Sequence, residues 1–201
     1  ELILLWPFYL DAIISPMLFF IPFFLFVYFN NLVYSLFQIG LLVSAAPLTS
    51  LLFEIPTGAF ADLYGRKLSV LLGIILQGVP LFLLFYFTNF YAVFVLFALI
   101  GFGGTFVYGA AEAWVTDLIK REKKHLMKSY FVKSQSISSF ALVISGVIGA
   151  WFVKSFGISI IWITAGTSFV ISAILLSFAK ENFVKRKTSF KDSFKEVFGQ
   201  S

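Results

Sequence analysis

Apolar residues along this chain fall in long runs, not at scattered core positions, and the polar residues gather in the gaps between them. Runs of roughly twenty or more apolar residues are the signature of helices that cross a bilayer. The pattern predicts six such helices, at about 4–29, 34–61, 68–87, 90–117, 129–153 and 158–179. The links between them read NNLVY, DLYGRK, TN, the charged KREKKHLMK, and KSFG. Links this short predict that consecutive spans are antiparallel neighbours in one compact bundle, and six spans return both ends of the chain to one side. Pro16, Pro22, Pro47, Pro56 and Pro80 fall within the predicted helices and are expected to kink them.

Composition sharpens the class. Hydrophobic residues make up 60% of the chain and charged residues 12%, about half of the roughly 25% carried by a soluble domain. With no cysteine there are no disulfides, thiolate metal sites or cysteine nucleophiles. The first segment has neither a basic leader nor a small-residue cleavage motif, which argues against a secretory signal peptide. His125 stands alone in a charged link and is read as solvated, so no metal site is expected. No nucleophile–base constellation is present, so an enzyme is not expected and no cofactor is implied.

The net charge of +5 is a matter of topology. Arg66 and Lys67 lie in the second link, and six further basic residues lie in or beside the fourth. Six more follow the last span, so fourteen of the fifteen fall on one face and Lys154 is alone on the other. By the positive-inside rule that face is cytoplasmic, with both termini, and a nucleic-acid partner is not expected. Beyond Lys180 the pattern changes. Phe190, Phe194, Val197 and Phe198 recur at helical spacing with Lys191 and Lys195 between them, and Ser189 with Asp192 fits a capping box. Residues 180–201 are thus expected to form a basic linker with an amphipathic helix on the inner membrane surface, a solvated tail being the alternative.

The most polar stretch inside the apolar pattern is EIPTGAFADLYGRK, residues 54–67. Gly58 is expected to let another helix approach closely, Asp62 to sit where the second span meets the cytoplasm, and Gly65 to permit a tight reversal before Arg66 and Lys67. GxxxDxxGRK at this link resembles the signature of the major facilitator superfamily, and EIPTG and GAAEAWVTD (109–117) resemble members of it as well. The resemblance covers the chain as one six-helix half. It implies an all-α integral membrane fold, six transmembrane helices arranged as a 3+3 inverted repeat, working as a secondary active transporter by alternating access. An internal echo agrees: GAFADLYGRKLSV (58–70) and GAWFVKSFGISII (149–161) share their glycine and aromatic positions with one residue of offset, on opposite membrane faces. The resemblance further implies a cytoplasmic latch, in which Asp62 faces the opposite half and Arg66 reaches Asp117 and which stabilises the outward-facing state.

Asp11, Glu54 and Glu112 lie inside predicted spans. A charge in hydrocarbon costs on the order of a few kcal/mol, so such groups face a cavity or a partner. Asp11 and Ser15 share one face of the first span, and Thr105, Tyr108 and Glu112 share one face of the fourth. In the superfamily these two spans line the central cavity. Asp11 and Glu112, with Ser15, Tyr108 and Glu54, are therefore expected to bind a small-molecule substrate or carry coupling protons. The alternatives are that Glu54 joins the Asp62–Arg66–Asp117 network, and that Glu112 pairs with Lys133 or bonds across the bundle. Two family features are missing: LIGFGGTFVYG in the fourth span carries no arginine, and SGVIGA in the fifth keeps two glycines without the proline of the antiporter signature. GFGG lacks the Gly-Lys-Ser/Thr of a phosphate loop, and Gly101, Thr105, Gly109 and Ala113 are read as a helix-packing stripe. Six spans cannot enclose a site between halves, so the expected partner, besides the lipid bilayer, is a second six-helix half or a second copy of the chain. The Glu1 start and linker-like ending favour the half. The competing class is a non-transporting membrane scaffold that retains the fold.

Overall fold

A computed structural model describes residues 2–122 and 126–181. Among these residues are eight helices and no strand: α1 (Leu2–Leu18), α2 (Ile21–Asn31), α3 (Leu36–Tyr64), α4 (Arg66–Leu83), α5 (Phe90–Val107), α6 (Ala110–Glu122), α7 (Leu126–Phe156) and α8 (Ile160–Ser177). They form six spans long and apolar enough to cross a membrane, with α1 and α2 sharing the first and α5 and α6 the fourth. His125 and the tail from residue 182 onward, including its expected amphipathic helix, lie outside the described residues.

Two spans are broken. Pro22 stands in the first turn of α2, where its missing N–H is harmless. Its ring excludes the carbonyl four residues earlier, at Leu18, which is where α1 ends. Pro16 likewise leaves the Ala12 carbonyl without a helical donor, and Ser138 of α7 donates to that carbonyl at 3.1 Å. In the fourth span Gly109 adopts φ +70° and separates α5 from α6. The freed carbonyls of Thr105 and Phe106 accept from Thr57 at 3.2 Å and from Ser69 at 2.7 Å. A break within a membrane is tolerable when neighbouring hydroxyls satisfy its backbone in this way. Pro47 and Pro56, by contrast, sit within the unbroken α3.

The packing corrects one expectation from the short links. Span 2 packs mainly on span 4, as α3 against α5, and not on span 1. The remaining principal pairs are α4 with α5, α4 with α8, α1 with α7 and α1 with α8. Small residues decide this. A Cβ placed on Gly101 would lie 2.2 Å from the Ala46 carbonyl oxygen, and one on Gly73 would lie 2.6 Å from the Gly103 oxygen, so α5 meets α3 and α4 backbone to backbone. A short link fixes only where two helix ends meet, whereas side-chain volume fixes which helices lie together. Exchanging spans 1, 2 and 3 for 4, 5 and 6 maps this set of pairs onto itself. It also maps the break in span 1 onto that in span 4, and Gly65 (φ +107°) onto Gly157 (φ +84°). This is the inverted repeat.

Two apolar clusters close the ends of the bundle. One gathers Phe20, Phe29, Leu42, Leu84, Phe97 and Trp162. The other gathers Leu5, Ala61, Trp114, Leu118 and Ala179, so both ends of the described chain lie where α3 meets α4. We call this the basic end. Phe169 packs against both clusters.

Candidate functional site

At the basic end α3 turns into α4 through one residue. Gly65 takes φ +107°, a conformation that L side chains rarely adopt, and a Cβ there would also stand 3.1 Å from the Glu181 carboxylate. Arg66 follows at the first position of α4. One of its terminal nitrogens donates to the Ala113 carbonyl at 2.7 Å and to the Asp117 carboxylate, both on α6. The other lies 4.0 Å from Asp62. The Arg66 side chain is 26% exposed, while Asp62 and Asp117 are each more than half exposed, so the guanidinium is sheltered and its carboxylates face outward.

Lys67 turns away from these carboxylates. Its ammonium donates to the Ser177 and Ala179 carbonyls at 2.7 and 2.8 Å, where the end of α8 carries partial negative charge. Its backbone N–H donates at 2.8 Å to Glu181, an acid placed at the helix N-terminus where two basic residues would otherwise oppose the dipole. Trp114, buried on α6, donates from its indole N–H to the Lys180 carbonyl at 2.8 Å and packs edge-on against Phe8 at 5.0 Å. Glu181 and Trp114 escaped sequence reading. Beside Lys180, Glu181 looks like one more charge of the tail, and a tryptophan in an apolar run carries no pattern of its own.

Gly58 does not serve the role expected of it within this chain. Nothing lies within 4 Å of a Cβ placed there. It is on the outward side of α3, because α3 meets the fourth span through Ser50, Phe53 and Thr57. The packing stripe is likewise only half realised: Gly101 is at a close crossing, but Gly109 is open and forms the break. The same break separates Thr105, which is buried and donates to the Phe102 carbonyl, from the face shared by Tyr108 and Glu112. Glu54 is exposed on α3 and, among the described residues, takes part in no ion pair with Arg66.

Asp11 is held from two helices. Its Oδ1 accepts from Ser15 on α1 and from Ser172 on α8, each at 2.6 Å. A cavity of about 400 Å³ opens beside it, reached by Gln77 of span 3, Tyr108 and Glu112 of span 4, Gln135 of span 5 and Ser172 of span 6. A second cavity, of about 380 Å³, shares Gln135, Ser138, Phe169 and Ser172 with the first and adds Ser15 and Ser168. The Asp11–Ser15–Ser172 cluster thus stands where the two meet, and among the described residues no basic one lines either. Sequence reading found Asp11, Ser15, Tyr108 and Glu112 but missed Gln77, Gln135, Ser138, Ser168 and Ser172. Their signal was polar residues inside apolar runs, Ser168 and Ser172 four apart and hence on one face.

Six apolar spans with a carboxylate-bearing cavity between them define an integral membrane protein of the helical-bundle class. The chain belongs to the Major Facilitator Superfamily, whose profile matches residues 6–201. It is 30% identical over 143 residues to an uncharacterized transporter of Buchnera aphidicola subsp. Schizaphis graminum, a match covering 71% of this chain and 35% of that protein. A second uncharacterized transporter, from Buchnera aphidicola subsp. Acyrthosiphon pisum, is 28% identical over 165 residues, covering 80% of this chain and 41% of that protein. The chain therefore spans less than half the length of these relatives.

Proposed function

We propose that this chain is one six-span unit of a secondary active transporter. It moves a small solute by alternating access, with its basic end and both termini in the cytoplasm and a second six-span unit, a different segment or a second copy, across the cavity. The observation that carries this reading is the placement of α6. Its first turn brings Glu112 to the cavity, and Asp117, five residues on, holds Arg66 at the basic end. Gly109, unobstructed and at φ +70°, is the hinge at its base. A solute that displaces Glu112 therefore acts on the same short helix that the Arg66 pair restrains. Breaking that pair frees α6 to open the basic end. Asp11 and Glu112 are the groups proposed to bind the solute and carry coupling protons in efflux, and the serine bonds to Asp11 fix its carboxylate in place.

The test is an untargeted comparison of solutes across the membrane of cells making the wild-type protein, Asp62→Asn or Arg66→Gln. The expected result is at least one solute whose distribution depends on the wild-type protein and reverts in both variants, with folded protein present in equal amount. Identical solute profiles in all three would contradict transport and favour a scaffold that keeps the fold.

A further inference from the structure

We propose that the paired cavities around Asp11 take an organic cation, a protonated or quaternary ammonium carried on an apolar, aromatic-bearing body. This rests on the reading of the cavities as the solute site and names the class of solute they fit.

Charge is the first argument. Asp11 and Glu112 line the larger cavity and, among the described residues, none that lines either cavity is basic, so from this chain's walls an anion would meet like charge. The hydroxyls make a second, independent argument. Ser15 and Ser172 both donate to Asp11, Ser138 donates to the Ala12 carbonyl, and Ser168 donates to the Ala165 carbonyl. Each of these four serines has committed its one proton to the protein, so each offers a ligand only the lone pairs of its oxygen. Asp11 Oδ2 accepts no hydrogen bond from the described residues, because both donors converge on Oδ1. Immediately around Asp11 acceptors are in surplus and donors are committed, which favours a ligand that brings N–H groups or positive charge to that point, while Gln77, Gln135, Ser139 and Tyr108 keep donors elsewhere on the walls.

The broken first span adds to the same sign. α1 ends at Leu18, and Pro16 and Phe19 beside that end line the smaller cavity, so the negative end of the helix dipole lies against it. The remaining wall fits the body of such a ligand. Phe8, Tyr108, Tyr130, Phe131 and Phe169 present aromatic surface around the carboxylates, the arrangement that stabilises a weakly hydrated cation by its attraction to ring faces. At about 400 Å³ the larger cavity is at the low end of the range for small-molecule sites.

The test uses the purified protein in a mild detergent, with radiolabelled tetraphenylphosphonium and the smaller benzyltrimethylammonium as cation probes and uncharged triphenylphosphine oxide as competitor. Saturable binding of at least one cation is expected, weakened about tenfold or more by Asp11→Asn and about two- to threefold by Ser172→Ala. The asparagine oxygen can still accept from both serines, so Asp11→Asn is expected to keep the wild-type melting profile; Glu112→Gln supplies a second loss of charge away from that hydrogen-bonded cluster and is expected to weaken binding too. Failure of the wild type to bind either cation would overturn the proposal. So would binding that neither variant of the carboxylates alters, or a neutral competitor that displaces the probe as well as the cation itself does. Those outcomes leave transport standing if the gate-dependent solute comparison succeeds, whereas failure of that comparison removes the transport reading whatever binds.

Discussion

Gly101→Val is expected to remove nearly all folded protein from the membrane. A Cβ at this position would lie 2.2 Å from the Ala46 carbonyl oxygen and 2.6 Å from its Cα. The obstruction is backbone, so no side-chain rotation relieves it, and α3 and α5 must move apart. That separation also strains the Ser50 bond to the Gly101 carbonyl, at 3.0 Å, and the Thr57 bond to the Thr105 carbonyl, which satisfies one end of a broken helix. Overpacking costs about 1–3 kcal/mol where side chains can yield, and the cost here is expected at or above that limit. Size-exclusion of detergent extracts, followed by a fluorescent fusion, is expected to show the monodisperse peak reduced about tenfold or more. Gly58→Val is the control: with nothing within 4 Å, it is expected to leave the peak intact.

Arg66→Ala is expected to give the opposite division, a large loss of flux with little loss of fold. The ion pair with Asp117 lies at the basic end of the bundle with its carboxylate about half exposed. Pairs of that kind are worth about 0–1 kcal/mol of stability, so the melting temperature in detergent is expected to fall by only a few degrees. The consequence for α6 is larger, because Arg66 is bonded to it at both Ala113 and Asp117. Flux of the transported solute is expected to drop about tenfold or more, equivalent to about 1.4 kcal/mol at the rate-limiting step. Arg66→Lys is not expected to restore it, since an ammonium lacks the planar fork that reaches a carbonyl, Asp117 and Asp62 from one group. A flux unchanged in Arg66→Ala would detach the pair from the transport cycle.

Most of the fold was legible because a bilayer imposes a coarse rule: about twenty apolar residues per span, with charges at the ends. All six spans follow from it, and so does the position of Gly65 between α3 and α4. The glycine echo between residues 58–70 and 149–161 points to the inverted repeat, and Gly65 and Gly157 share a positive φ. The neighbour relations were not legible. They depend on which glycines meet which backbones, and Gly101 against Ala46 looks no different in sequence from the open Gly58. The break at Gly109 was hidden for a related reason, since a glycine inside an apolar run reads equally as a packing position.

The candidate site was legible where a residue is costly in a membrane. Asp11 and Glu112 announce themselves as charges within apolar runs. Serines do not, because a hydroxyl can bond back to its own helix at little cost, as Ser44 does to Gly40 and Thr49 to Ala45. Ser172 is distinguished only by crossing to Asp11, a relation 161 residues apart in sequence. Lys67 and Arg66 are adjacent in one motif, yet the two side chains hold different helices, α8 and α6.

The most direct test of alternating access uses the absence of cysteine from this chain. Gln135 lines both cavities, so Gln135→Cys places this chain's one thiol between them. In the native membrane, a membrane-impermeant maleimide is applied from one side and then, in a separate preparation, from the other. Labelling from both sides is expected, with the rate from the basic end rising and the rate from the opposite end falling when Arg66→Ala is added. Labelling confined to one side in both backgrounds would show a cavity with a fixed opening and contradict alternating access.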